Sequence, residues 1–110
     1  MAEISNMEVR IFDEALEEFI QSLEKQTIAK VLHTIELLET FGNRLTMPHS
    51  KKVAGGVFEL RIRGSQEVRI FYAFHKNSAV LLHGFVKKSA KTPPREIRLA
   101  VQKLKALTTR

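Results

Sequence analysis

The sequence predicts an α+β fold of order β-α-α-β-β-β-α, an antiparallel sheet with an N-terminal helical hairpin and a closing helix. Three observations predict it. Apolar residues recur at helical spacing in two adjacent stretches before Gly42 and again after Pro94. Between residues 57 and 87 the period changes to two. Within that region the breaks are short, Gly64-Ser65-Gln66 and Lys76-Asn77-Ser78, which favours a meander of antiparallel strands. Amphipathic helices on one face of such a sheet make a sandwich.

The elements follow in order. Residues 7–12 (MEVRIF) alternate weakly and read as a short strand. Asp13 is placed to cap a helix whose stripe is Leu16, Phe19, Ile20 and Leu23, with Glu14, Glu17 and Glu18 in the early turns, where carboxylates suit the helix dipole. A second helix starts near Thr27, carries Ile28, Val31, Leu32, Ile35 and Leu38 as its stripe, and stops at Gly42. Residues 43–50 (NRLTMPHS) have no period and read as a loop. Residues 57–63 (VFELRIR) send Phe58, Leu60 and Ile62 one way and Glu59, Arg61 and Arg63 the other. Residues 67–75 (EVRIFYAFH) put Val68, Ile70, Tyr72 and Phe74 on one face, and Arg69, Phe71, Ala73 and His75 on the opposite one. Residues 79–87 (AVLLHGFVK) form an apolar third strand suited to the sheet interior. Thr92-Pro93-Pro94 opens the last helix, with Thr92 as cap and Ile97, Ala100, Val101, Leu104 and Leu107 as stripe. The helices are expected to cover the apolar strand face and leave Arg61, Arg63 and Arg69 displayed on the other.

The 110 residues suit a single domain, 1–110, with residues 1–6 as a flexible extension. The chain is 44% apolar and 27% charged, which argues against whole-chain disorder. Zero cysteine excludes a disulfide framework, a thiolate zinc site and a cysteine nucleophile, and is the usage expected in a reducing cytosol. No apolar run reaches membrane-spanning length, and residues 1–10 lack the basic and apolar regions of a secretory signal. Charge is divided unevenly. Residues 1–50 carry 4 basic and 9 acidic groups; residues 51–110 carry 14 and 3. A basic second half points to a polyanion partner.

Several chemistries are unsupported. Gly55-Gly56 reads as a turn rather than a phosphate loop, and no Gly-x-Ser-x-Gly nucleophile signature is present. His33, His49, His75 and His83 lack metal-ligand spacing, so no metal is expected, and His33 reads as half-buried and structural. What remains is a set of cations on one sheet face: Arg61 and Arg69 on neighbouring strands, Lys87 and Lys88 at the end of the third strand, Lys91 after it, and Lys51 and Lys52 ahead of the first meander strand. An arginine fork matches phosphate oxygens bidentately. Such a cluster can promote RNA cleavage without metal, because the 2′-hydroxyl is a nucleophile already held beside the phosphate. The protein has to align the sugar, neutralise developing charge and move protons. The candidate proton carriers are His83, Glu59 and Tyr72. His83 shares the phase of Leu81 and Phe85, which suits a core position, and Tyr72 shares that of Val68 and Ile70 and reads as buried. Phe71 has the phase of Arg69 and could stack on a base.

The stretches GVFELR (residues 56–61), VRIFY (68–72) and LLHGFVKK (81–88), with Lys91-Thr92-Pro93, resemble the RelE/ParE superfamily of bacterial toxins, and more closely its HigB-type, phage-derived branch. The resemblance runs from about Met7 to Leu104. It implies the toxin of a type II toxin–antitoxin system: a cytoplasmic, ribosome-dependent, metal-independent messenger RNA endonuclease that needs no cofactor and inhibits translation. It also implies a cognate antitoxin, in this branch often a helix-turn-helix protein. By position, Arg69 matches the phosphate-contacting arginine, Lys87 and Lys88 the basic pair that stabilises the transition state, and Arg61 the arginine that builds the basic face. Two departures stand out. Val57 and Glu59 replace lysines of the first meander strand, and no tyrosine follows Tyr72. His83 or Glu59 is then left as general base, and Lys51 and Lys52 as replacements for the missing charge. The same resemblance leaves two alternatives open: a ParE-like toxin that poisons DNA gyrase by protein contact, and a degenerate member that only binds antitoxin or nucleic acid.

Overall fold

The computed structural model describes residues 6–109. Residues 1–5 of the expected extension lie outside that range. Nine segments follow in order: β1 (Glu8–Ile11), α1 (Glu14–Gln21), α2 (Lys25–Phe41), a 3-10 turn (Gly42–Arg44), β2 (Ser50–Ala54), β3 (Val57–Ile62), β4 (Val68–His75), β5 (Ser78–Val86) and α3 (Pro94–Thr108). The fold is α+β, with one five-stranded sheet ordered β1-β5-β4-β3-β2. The caps behave as the residues suggest. The Asp13 carboxylate accepts from the backbone N–H of Leu16 at 3.1 Å and starts α1. Gly42, at φ 54°, ends α2. Lys76 and Asn77, both at positive φ, form the two-residue turn between β4 and β5.

The element order departs from the expected one. The strand expected ahead of the helical hairpin is present, but Ser50–Ala54, read as the end of a loop and its sequel, is an additional strand. It pairs antiparallel with β3, Ser50 opposite Leu60 and Lys51 opposite Glu59. Its sequence, SKKVA, is too polar and short to announce a strand; β3 supplies the hydrogen-bonding edge that makes it one. The sheet is also not wholly antiparallel. β1 runs parallel to β5, because the helical hairpin and the intervening strands return the chain to that edge. Thr92 does not cap α3, whose cap position is Pro93; the Thr92 hydroxyl donates instead to Glu59 Oε2 at 3.2 Å. His33 is exposed on α2 rather than half-buried.

The largest correction concerns the faces. α1 and α2 cover the face that carries Leu60, Ile62, Val68, Ile70, Tyr72 and Leu81, and contribute Leu16, Ile20, Val31 and Leu38 to that core. α3 lies on the opposite face, with Ala100, Ile97, Val101 and Leu104 over Val57, Phe71 and Phe85. The reason lies in β4 and β5. Ala73, Val80 and Leu82 form a further apolar cluster on the α3 side with Phe12 and Leu107. Strands that are apolar on both faces need cover on both, and each buried aliphatic side chain is worth about 1.5–3 kcal/mol. Gly84 allows the close seat of α1: a Cβ there would lie 2.8 Å from the Phe19 ring.

β4 and β5 are joined with one irregularity. Phe71 pairs with His83, yet Tyr72 pairs with Leu81, so Leu82 is the extra residue of a bulge. The bulge breaks the phase that sequence assigns. His83 and Phe85 face α3, whereas Leu81 faces the hairpin.

Candidate nucleic-acid interface

β3, β4 and β5 end together at one corner of the sheet that α3 leaves open. Arg61 and Arg69 are directly opposite one another across the β3–β4 ladder. Side chains so paired stand about 5 Å apart at Cβ, and like charges there repel. Lys87 follows β5 and is tied in by its backbone N–H, which donates to the Glu67 carbonyl at 2.6 Å. The result is an open cleft of about 410 Å³, lined by Arg61, Arg63, Glu67, Arg69, Lys87 and Lys88 with Ser89 and Ala90. Five cations and one carboxylate line it.

Arg69 forms the floor and is only 2% exposed. Its Nη1 donates to the Val68 carbonyl at 3.1 Å and its Nη2 to Glu67 Oε1 at 3.4 Å. Glu59, also buried, lies behind it, with Oε1 at 3.9 Å from Arg69 Nε. That is an ion-pair distance, not a hydrogen bond, and Arg69 Nε has no hydrogen-bond partner among the described residues. Glu59 is in turn fixed by Thr92, so the segment leading into α3 holds the carboxylate that holds the arginine. Arg61 has no carboxylate within ion-pair distance among the described residues; its Nη1 rests 3.2 Å from Met47 Sδ, a weak acceptor, and its Nε is unpartnered. A buried guanidinium beside one without a counter-ion leaves positive potential directed into the cleft.

Sequence reasoning missed Glu67. Burial raises its pKa, but the Gly64 N–H and the charges of Arg69 and Arg63 outweigh that and hold it below the usual carboxylate range. The signal was present: residues 67 and 69 share a strand face two positions apart. Glu67 therefore orients cations and is a weak base.

The remaining candidates sit elsewhere. Phe71 is fully buried under α3, so it is not a surface on which a base can stack, contrary to expectation. His83 Nε2 lies 2.6 Å from Glu96 Oε1, and Arg95 reaches the other Glu96 oxygen at 3.6 Å. This places His83 under α3 and outside the cleft lining. Tyr72 is buried on the hairpin side, and its hydroxyl shares a 2.5 Å hydrogen bond with Ser50 Oγ. Burial raises its pKa above 10.0, against the opposing hydrogen bond from Ser50. Lys51 and Lys52 are exposed on β2 and point to opposite faces, since they oppose Glu59 and Phe58. Only Lys51 shares the face of Arg61. Lys91 is exposed in the segment before α3 and does not line the cleft. No helix of the described residues is long and apolar enough to cross a membrane.

A second pair of contacts anchors α3. Lys103 Nζ lies 2.8 Å from Asp13 Oδ2, which ties the middle of α3 to the start of α1. Burial works to raise the Asp13 pKa, but the Lys103 hydrogen bond, the Leu16 N–H and the nearby charges of Lys103 and His83 hold it below 3.8.

No curated protein matches the chain. One family model, described as phage derived protein Gp49-like (DUF891), matches residues 18–105. That span runs from α1 into α3 and includes every residue that lines the cleft. The chain therefore belongs to the Gp49-like family of phage-derived proteins, a toxin-like family of the RelE/HigB type.

Proposed function

We propose that the protein is the toxin of a type II toxin–antitoxin system, of HigB-like character, and that it inhibits translation by cutting messenger RNA on the ribosome. The observation that carries this is the corner cleft, where Arg61 and Arg69 are cross-strand partners and Lys87 and Lys88 complete a cationic wall. A phosphodiester seated there meets the Arg61 fork and two ammonium groups, over the buried charge of Arg69. The 2′-oxygen attacks phosphorus, the bond from phosphorus to the 5′-oxygen breaks, and the products are a 2′,3′-cyclic phosphate and a 5′-hydroxyl. One proton leaves the 2′-hydroxyl and one is delivered to the 5′-oxygen. Arg61, Arg69 and Lys88 stabilise the charge that grows on the phosphorane oxygens, and each such donor is worth several kcal/mol in a preorganised site. A helix-turn-helix antitoxin is the proposed silencing partner.

A second reading has one observation in its favour. Among the described residues no histidine or tyrosine lines the cleft, and the one carboxylate there, Glu67, is held as a weak base. That favours a toxin acting by protein contact, as a ParE-like gyrase poison would. The experiment that separates the two is addition of the protein to a translation reaction, with mapping of new messenger 5′ ends. The same messenger without ribosomes is the control, and Lys87→Ala/Lys88→Ala and Arg69→Ala run in parallel. Cuts only on translated messenger, lost in the variants, are the expected result. Intact messenger and unimpaired translation would refute the nuclease and leave gyrase supercoiling as the next assay.

A further inference from the structure

Arg61 and Arg63 line two clefts, not one. On the far side of these arginines, the C-terminal end of β3, the loop ahead of β2 and the outer face of α2 enclose a hollow of about 220 Å³. Pro48 and Ile62 give it an apolar floor. Lys30, His33 and His49 join the two arginines at the rim, and among the described residues no carboxylate lines it. The rim is held in place by the backbone. The Arg61 N–H donates to the His49 carbonyl at 2.9 Å, which sets the imidazole-bearing loop beside Arg61. Lys30 Nζ donates to the Arg63 carbonyl at 3.2 Å, which brings the α2 cation to the end of β3. The nearest acidic group on the same helix, Glu36, lies 3.8 Å from His33 on the exposed surface. The Arg61 guanidinium, without a carboxylate partner among the described residues, stands on the ridge between the two hollows.

We propose that this second cleft is a subsite for a nucleotide that flanks the one held in the corner cleft, on the same single strand of RNA; the inference rests on the nucleic-acid reading above. The chemistry is that of an unstacked nucleotide. A base lies on the apolar floor against the His49 ring, and its phosphate is met by Lys30, Arg63 and the shared Arg61. Arg61 lies at the end of β3 and Arg63 just beyond it, about 6.6 Å apart if the chain stays extended, so they grip neighbouring parts of one backbone and give the two clefts a common wall. A balanced surface would place carboxylates among these cations; their absence here, on a chain whose first half is acidic overall, marks the rim as a polyanion contact.

The test uses the full chain and fluorescence-labelled RNA with 2′-O-methyl riboses, which cannot be cleaved. An eight-nucleotide strand and a two-nucleotide strand are titrated against wild type, Lys30→Ala/His49→Ala and Lys87→Ala/Lys88→Ala over a range of salt. None of these four side chains makes an ion pair among the described residues, and far-UV circular dichroism confirms that each variant folds. Lys30→Ala/His49→Ala is expected to weaken octamer binding about tenfold and lower the salt slope by about one, with the dinucleotide unaffected. Lys87→Ala/Lys88→Ala is expected to weaken both. Octamer binding that is unchanged in Lys30→Ala/His49→Ala overturns the subsite and leaves the nuclease reading intact. Absence of octamer binding by the wild type also overturns the subsite, and messenger mapping then judges the nuclease on its own.

Discussion

Removal of the Glu59 carboxylate tests how Arg69 is held. Both side chains are almost wholly buried, and the carboxylate stands 3.9 Å from Nε. Loss of one partner from a buried pair costs about 3–5 kcal/mol, because the other charge stays buried and uncompensated. Glu67, at 3.4 Å from Nη2, remains as a partial counter-ion in Glu59→Ala, which puts the cost at the low end, about 3 kcal/mol. For a chain of this size that lowers Tm by about 12 °C. With a urea m-value of about 2 kcal/mol per molar, the midpoint falls by about 1.5 M. Arg69→Ala strands Glu59 with Thr92 as its one hydrogen-bond donor and should cost about as much. The double variant should lose about 1–3 kcal/mol less than the sum of the singles, since neither charge is then orphaned. Urea unfolding followed by circular dichroism measures all three. A loss below about 0.5 kcal/mol in Glu59→Ala, or a double variant that loses the full sum, would refute the claim that Glu59 positions Arg69.

Three further outcomes are expected. Lys87→Ala/Lys88→Ala should leave unfolding within about 0.5 kcal/mol of wild type while lowering the slope of log affinity for RNA against log salt by about two, measured by fluorescence anisotropy. Tyr72→Phe should cost about 1–2 kcal/mol through the orphaned Ser50 hydroxyl. It should also flatten the alkaline limb of stability: wild type weakens above pH 10.0, where the unfolded chain releases the Tyr72 proton and the folded chain, with its raised pKa, retains it. Asp13→Asn keeps the cap but removes the charge that faces Lys103. Because the folded pKa lies below 3.8, the carboxylate's contribution is present above that pH and fades as pH falls through the folded value, so the variant should show a shallower loss between pH 5 and 3. The difference should be under about 1 kcal/mol, as the pair is partly exposed.

Much of the corner cleft was legible in the chain. The two-residue period of residues 57–63 and 67–75 puts Arg61 and Arg69 on one face of neighbouring strands, while the register that makes them cross-strand partners was settled only by the folded sheet. Lys87 and Lys88 follow from the length of the third strand. The role of Glu67 was available from the same parity with Arg69. His83 was not: a single extra residue, Leu82, shifts the phase of β5, and no property of LLHG distinguishes a bulge from a regular strand. Nor was the second cleft. Lys30, His49 and Arg63 are distant in sequence and meet only because α2 packs on the end of β3.

Local pattern alone determined the α+β class, the helical hairpin with its Asp13 and Gly42 caps, the meander, and the basic second half. These are properties of neighbouring residues, and period, capping chemistry and turn geometry act over a few positions. Tertiary structure decided the rest. It recruited SKKVA into a strand because β3 offered an open edge, and it laid β1 parallel against β5. It also placed α3 on the face opposite the hairpin. That face carries Phe71, Ala73, Val80 and Leu82 along with the arginines, and a surface that apolar has to be covered. The consequence is a division of one sheet face. α3 buries its apolar part, with Phe71 and His83, and the cations that α3 does not reach are left as the cleft.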